Sequence, residues 1–402
     1  MTAKIFKSIA NGKISAPPSK SMSHRALICG ALSDKSVIYN LGESEDISAT
    51  LNCLRALGAS VDFATDKVDI GGLNPDCTGD NIVLNCNESG STLRFMLPFC
   101  MLSGKRITLS GTDRLFERPL GIYEDICKNQ GIVFEKSKNS VTVCGKLKSG
   151  IYSVLGNVSS QFISGLLFAL PLLEGDSKIE IIGNLESASY IDLTLSALND
   201  FGIKVEKQGN AFVIKGGQRY KSTEYTVEGD CSNAAFLEAF NFIGGNVTVD
   251  GLRPDTLQGD RVYIDMFKGM AVGEKRFDLT DCPDLAPVMF AVSALYGGAS
   301  FSGTARLRLK ESDRSLAMKE ELAKFGVSVT IGENSVTVES GALNTPSEVL
   351  SGHNDHRIVM ALSLLCTKTG GVISGIEAVN KSYPNFFDDI KSLGIGMELD
   401  DN

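Results

Sequence analysis

The stretch Pro17-Pro18-Ser19-Lys20-Ser21-Met22-Ser23-His24-Arg25 concentrates groups that could hold an anion. The two prolines end an extended segment, because proline cannot continue a ladder and restricts the residue before it. Ser19 and Ser21 can accept the free backbone N–H groups of a helix start, and the apolar run 26–32 predicts the helix. Lys20 would then sit at the positive end of a helix dipole, where nothing local stabilises a lysine. Arg25, four residues beyond Ser21, can face the same side. Such a convergence suits a phosphate or carboxylate, and a plain solvated helix start is the competing reading.

Similar groupings recur downstream. Asn87-Glu88-Ser89-Gly90-Ser91-Thr92-Leu93-Arg94 offers a glycine that lets an anion approach backbone, with Arg94 one turn further on. Arg118 stands before Pro119 at an expected helix start, although Asp113, Arg114 and Glu117 nearby also fit a surface ion-pair cluster. Ser159, Ser160 and Gln161 precede a wholly apolar helix and suit a phosphate or a sugar-like ligand, although capping alone explains one serine. Ser187 and Tyr190 follow. Asp284 begins another apolar helix, either as a charge complement or as a base facing a ligand. Lys310-Glu311-Ser312-Asp313-Arg314 reads by default as a solvated charged turn. Asn354-Asp355-His356-Arg357 opens a last apolar helix, and burying those charges is costly unless they are paired or serve a ligand. Lys381 closes the set. A chain of net charge −9 that gathers Lys20, Arg25, Arg94, Arg118, Lys310, Arg314, Arg357 and Lys381 at helix starts and turns suits small polyanions.

The elements that must carry these groups form a weak repeat. An amphipathic helix closed by glycine and followed by a strand is expected at 51–58, 123–131, 195–202, 262–269, 318–326 and 387–394. Alternating with it is a helix apolar almost all round, starting near Ser21, Gly90, Ser159, Cys231, Pro283 and Asp355. A helix with no polar face must be surrounded by protein. Three such units precede residue 228 and three follow it, which predicts two similar α/β domains. Generic helix–glycine–strand composition is the competing explanation.

Bulk properties exclude several classes. With 402 residues, 43% of them hydrophobic, the chain can bury two substantial cores, and its acidic balance argues against a nucleic-acid surface. The ten cysteines (29, 53, 77, 86, 100, 127, 144, 231, 282 and 366) lack any Cys-x-x-Cys pair, so reduced thiols and a cytoplasmic location are expected. His353 and His356 lack partners at zinc spacing, so no metal is expected. The greasiest run, 165–173, is too short to span a bilayer, so no membrane partner is expected.

Taken together, these segments resemble the 5-enolpyruvylshikimate-3-phosphate synthase family over nearly the whole length. The likeness rests on Ser19-Lys20-Ser21-x-Ser23-x-Arg25, Ser89-Gly90-Ser91-Thr92-x-Arg94, Glu117-Arg118-Pro119, Ser159-Ser160-Gln161, Ser187-x-x-Tyr190, Pro283-Asp284, Lys310 to Arg314, Asn354 to Arg357 and Lys381-Ser382-x-Pro384. It implies a two-domain inverse α/β barrel of six βαβαββ-like repeats, three per domain, with the active site in the interdomain cleft. The domains would comprise 14–227, and 228–402 together with 1–13, with hinges near 12–18 and 226–230. Contacts to 3-phosphoshikimate would fall to Lys20, Ser21, Arg25, Ser159, Ser160, Gln161, Ser187, Tyr190, Asp284 and Lys310. Those to phosphoenolpyruvate would fall to Lys20, Gly90, Arg118, Gln161, Arg314, Arg357 and Lys381.

The implied reaction adds a 5-hydroxyl to C2 of phosphoenolpyruvate while C3 is protonated, then expels phosphate. Asp284, Glu311, Lys20 and His356 match the catalytic positions. Asp284 looks like the base, and Glu311 the proton donor, although surrounding cations favour its ionised form. Lys20, whose own pKa neighbouring cations should lower, is the alternative proton carrier. No cofactor is implied, and a monomer sensitive to glyphosate is expected. Glu88, Ser189 and Arg306 depart from the family pattern. UDP-N-acetylglucosamine enolpyruvyl transferase shares the implied architecture, but Lys20-Ser21 and Asn354 to Arg357 favour the shikimate branch. A binding protein that lost turnover would not need all four catalytic-type residues.

Overall fold

Polar side chains start five of the six buried helices by taking up a free backbone N–H. The structure, a computed structural model, describes residues 1–64, 66–75 and 79–400; Cys77 lies outside them. The helices are α1 (Lys20–Leu32), α2 (Gly90–Cys100), α3 (Ser160–Ala169), α4 (Cys231–Glu238), α5 (Ala286–Leu295) and α6 (His356–Thr369). Ser19, Ser89, Ser159, Asp230 and Asp355 each accept a first-turn N–H. α5 instead continues a 3₁₀ turn, Pro283–Leu285. α1 is buried without a break from Met22 to Ala31, which is why its sequence shows no polar stripe.

By contact the chain divides into Pro18–Glu228, here called the inserted unit, and a flanking unit of Met1–Pro17 with Gly229–Asn402. The inserted unit's ends are joined, Ser19 N–H donating to the Glu228 carbonyl at 2.8 Å. In the flanking unit Asp230 N–H donates to the Pro17 carbonyl at 2.8 Å. The expected boundary at residue 13 is corrected by pairing: strand Asn11–Ser15 runs parallel to Asn246–Asp250 along its whole length, so it stays in the flanking unit.

Five four-stranded sheets share one pattern among the described residues, a parallel pair followed by two antiparallel neighbours. In the inserted unit, for example, Ile82–Asn85 pairs parallel with Ile107–Ser110, which then pairs antiparallel with Ser140–Cys144. The last sheet has the same pattern with its third strand, Thr2–Ile5, supplied from the other end of the chain. Strands Asn246–Asp250 and Asn11–Ser15 form only a two-stranded sheet, so the fourth expected unit is abbreviated. Three loops of the inserted unit close the buried helices alike: the N–H groups of Leu73, Leu147 and Gln218 donate to the carbonyls of residues 31, 101 and 171.

Left-handed glycines end the outer helices at Gly58, Gly131, Gly202, Gly326 and Gly394. Gly269 does not. It lies inside helix Tyr263–Ala271, and the left-handed residue is Gly273 (φ +94°), because Met270-Ala271-Val272 carries the helix another turn. The nine described cysteines are unbridged. No helix among the described residues is long and apolar enough to cross a membrane.

One polar contact inside the core follows from a proline. Pro98 lies within α2 and has no N–H for the Arg94 carbonyl one turn back. The fully buried Tyr123 hydroxyl supplies the missing donor at 2.7 Å. Gly165 of α3 makes room, since a Cβ there would stand 2.5 Å from the Arg94 carbonyl and against the Tyr123 hydroxyl. Tyr123→Phe should therefore cost about 1–3 kcal/mol by orphaning that carbonyl. Pro98→Ala restores a backbone donor, so the same substitution should cost less in that background, as denaturant unfolding of the four-protein cycle would show.

Candidate active site

In the inserted unit the buried Arg25 guanidinium meets only neutral acceptors. Nε donates to Thr194 Oγ1 at 2.9 Å, and the terminal nitrogens donate to the Ser21 and Tyr190 carbonyls at 2.7 Å each. Burial draws its pKa down to about 10, so it stays charged at neutral pH. Tyr190 is aligned by Ser187, which adopts φ +57° just before helix Ala188–Asp200.

Arg118 ends the short helix Asp113–Glu117 and is 8% exposed, and its buried Nε has no hydrogen-bond partner among the described residues. Its guanidinium packs over Gly90, where a Cβ would come within 2.5–2.9 Å of three of its atoms. Gln161, near the Ser159 cap of α3, ties this region together. Its Oε1 accepts from Arg94 at 2.6 Å and its Nε2 donates to Ser91 Oγ at 2.9 Å. Arg94 also donates to the Pro119 carbonyl at 3.1 Å. Ser160, the first residue of α3, is buried beside Gln161.

Lys20 has a partner that the sequence reading missed. Asp46, on helix Glu45–Ala56, lies 3.0 Å from Lys20 Nζ, so the local charge around Lys20 includes a carboxylate as well as cations. Below it, a buried chain runs from His24 Nδ1 to Thr50 Oγ1 (2.8 Å), Thr92 Oγ1 (2.7 Å) and Ser89 Oγ (2.8 Å). Burial, then the charges of Lys20 and Arg25, holds the His24 pKa well below its usual value.

The flanking unit gathers Asp284, Lys310, Glu311, Arg314, Asp355 and Arg357. Arg314, 1% exposed, donates Nε to Asp355 (2.9 Å), one terminal nitrogen to Asp284 (2.7 Å) and the other to Glu311 (2.8 Å). The solvated charged turn expected here is therefore corrected: Asp313 caps helix Arg314–Lys324 and sends Arg314 inward. Asp284 also accepts from Lys310 at 3.0 Å and Arg357 at 3.4 Å. Burial alone would raise its pKa, but Arg357, Lys310 and Arg314 together hold it well below the carboxylate range. Burial, reinforced by Arg314, lowers the Lys310 pKa against the pull of Asp284. His356 is buried with Nδ1 3.8 Å from Asp355, and Lys381 donates to the Asn354 carbonyl at 2.6 Å.

Asp260 was not singled out in the sequence, where it carries no capping or periodic signal. It is buried, accepts the Ser232 hydroxyl, and has its pKa pushed up to about 6 by burial and then by the Asp284 charge. The departing Arg306 donates to the Thr280 carbonyl at 2.5 Å.

Residues 7–390 match a family profile described as EPSP synthase (3-phosphoshikimate 1-carboxyvinyltransferase). A 3-phosphoshikimate 1-carboxyvinyltransferase of Clostridium kluyveri is 43% identical, covering 95% of each chain. One of Clostridioides difficile is 38% identical over 97% of each. The fold superimposes on an EPSP synthase structure from Acinetobacter baumannii with a TM-score of 0.80 at 23% identity, over 99% of both chains.

Asp260 offers a direct check on this electrostatic layout. A carboxyl raised to about 6 in the folded protein costs nothing below the unfolded value of about 3.9, and its full cost is felt above pH 6. Asp260→Asn should therefore gain about 2–3 kcal/mol on the parent between pH 4 and pH 7, measured by urea unfolding at both. A pH-independent difference would mean that Asp260 titrates normally.

Proposed function

This chain belongs to the EPSP synthase family, and we propose from that premise that it transfers the enolpyruvyl group of phosphoenolpyruvate to the 5-hydroxyl of 3-phosphoshikimate. Phosphate is released, and the product feeds aromatic amino-acid biosynthesis. The observation that carries the reading is Arg118 over Gly90, a buried cation with no anionic partner among the described residues, beside the N-terminus of α2.

The two groups of residues take complementary parts. Arg25, with Ser21, Tyr190, Ser159, Ser160, Ser187, Lys20, Gln161 and Lys310, binds 3-phosphoshikimate. Arg118 and Gly90, with Lys20, Gln161, Arg314, Arg357 and Lys381, bind phosphoenolpyruvate. The 5-hydroxyl oxygen then bonds to C2, the double-bond electron pair takes a proton at C3, and the hydroxyl proton passes to Asp284. Loss of a C3 proton and of phosphate from the tetrahedral intermediate completes the exchange.

Held by three cations, Asp284 is too weak a base for this step. Substrate anions that draw Lys310 and Arg357 toward themselves leave its carboxylate less neutralised, so its proton affinity rises as the substrates bind. The base is activated by its own substrates. Glu311 delivers the C3 proton, Lys20 is the alternative carrier, and His356 completes the catalytic set. The protein works as a monomer without cofactor.

Phosphate release from phosphoenolpyruvate should require 3-phosphoshikimate and should not occur with UDP-N-acetylglucosamine; the reverse preference would overturn the reading. Asp284→Asn should lower kcat about 10²- to 10⁴-fold while phosphoenolpyruvate still binds. Gly90→Ala pushes a methyl into Arg118, so KM for phosphoenolpyruvate should rise about tenfold or more and glyphosate inhibition should weaken in step. Unchanged KM and inhibition would remove Gly90 from the site.

A further inference from the structure

We propose that Glu321 and His353 are positioning residues for Lys381, acting through a strained turn; the inference rests on the enolpyruvyl-transfer reading above. Glu321 lies on helix Arg314–Lys324 and is 1% exposed. Three donors occupy its carboxylate: Lys324 Nζ at 2.9 Å, the Ser351 N–H at 3.0 Å and His353 Nε2 at 2.9 Å. Although burial opposes ionisation, these donors keep its pKa below the usual value. An ionised carboxylate only accepts, so His353 carries its proton on Nε2. Glu320 is a second, more distant carboxylate facing that nitrogen, at 3.9 Å.

Ser351 and His353 lead into α6, and the backbone between Glu321's two anchors and the helix is unusual. His353 and Asn354 adopt φ of +47° and +51° in succession. Consecutive left-handed residues other than glycine persist only where surrounding contacts hold them. This turn delivers two groups. The Asn354 carbonyl is directed at Lys381, accepting from Nζ at 2.6 Å. Asp355 is set as the α6 cap, where it accepts from the Arg357 N–H at 3.0 Å and from Arg314 Nε at 2.9 Å. Without the His353–Glu321 tether the turn relaxes toward right-handed geometry and its carbonyl leaves Lys381, whereas Asp355 keeps its cap and its ion pair. The effect therefore concentrates on Lys381.

The test compares full-length His353→Ala, His353→Gly, His353→Gln and Glu321→Gln with the parent in two readouts. In steady-state kinetics, KM for phosphoenolpyruvate should rise about tenfold in the His353→Ala and Glu321→Gln variants, while KM for 3-phosphoshikimate stays within about twofold. His353→Gln, which keeps a donor, should recover most of the loss. Reductive methylation followed by peptide mass spectrometry should show Lys381 reacting several-fold faster in the same two variants. Glycine adopts the left-handed conformation freely, so His353→Gly should fall closer to the parent than His353→Ala, and an equal loss in the two would overturn the strained-turn route. So would equal increases in both KM values, or a fall in melting temperature with Lys381 labelling unchanged. If the parent protein releases no phosphate with the two proposed substrates, the functional reading fails, and Lys381 labelling alone decides the tether.

Discussion

A guanidinium taken out of water must have its charge answered, and how each buried arginine is answered governs this molecule. Removing such an ion from solvent costs several kcal/mol even after relaxation, so the protein must supply acceptors or leave a place for a ligand to supply them. Arg314 is answered completely, with a carboxylate on each of its three nitrogens. Arg25 is answered by a hydroxyl and two carbonyls, which satisfy its hydrogens and leave its charge. Arg118 meets neither carboxylate nor carbonyl among the described residues. The inserted unit is thus the side with cationic charge to spare, and the flanking unit holds a nearly neutral salt network that can be redistributed. Removing one carboxylate from that network would strand its partners, which makes it intolerant of conservative-looking change.

The buried helices turn this requirement into a position. Five of the six start with a side chain that takes up one N–H, so the remaining donors and the cations next to them are fixed relative to rigid elements. Packing then locks the helices together through contacts that a single methyl would disturb, as at Gly165 and Gly90. The Pro98–Tyr123 contact shows the same economy, one element's missing donor being provided by a neighbour.

Much of this was legible in the residues. The helix starts announced themselves through Ser or Asp ahead of runs with no polar face, and the cations at those starts were all identifiable. Pairing was not legible. Arg314 finds Asp284 and Asp355, 30 and 41 residues away, and no spacing rule selects those carboxylates. For the same reason Asp46 beside Lys20 and the buried Asp260 escaped notice, and the charged run at Lys310 looked solvated. Gly269 misled because a cap glycine and a glycine within a helix look alike when the helix continues for one apolar turn. Strand Asn11–Ser15 was assigned across a boundary because its parallel partner lies far along the chain.

Strand Thr2–Ile5 sits in the middle of the last sheet, between Gly371–Ser374 and Met397–Asp400. On the ribosome these residues emerge well ahead of the time when either neighbour is made. The segment 18–228, whose own ends are hydrogen-bonded, has every partner it needs long before then. Maturation is therefore ordered by topology: an early-born ribbon waits, unpaired and in need of protection, until its two later-made neighbours arrive to enclose it.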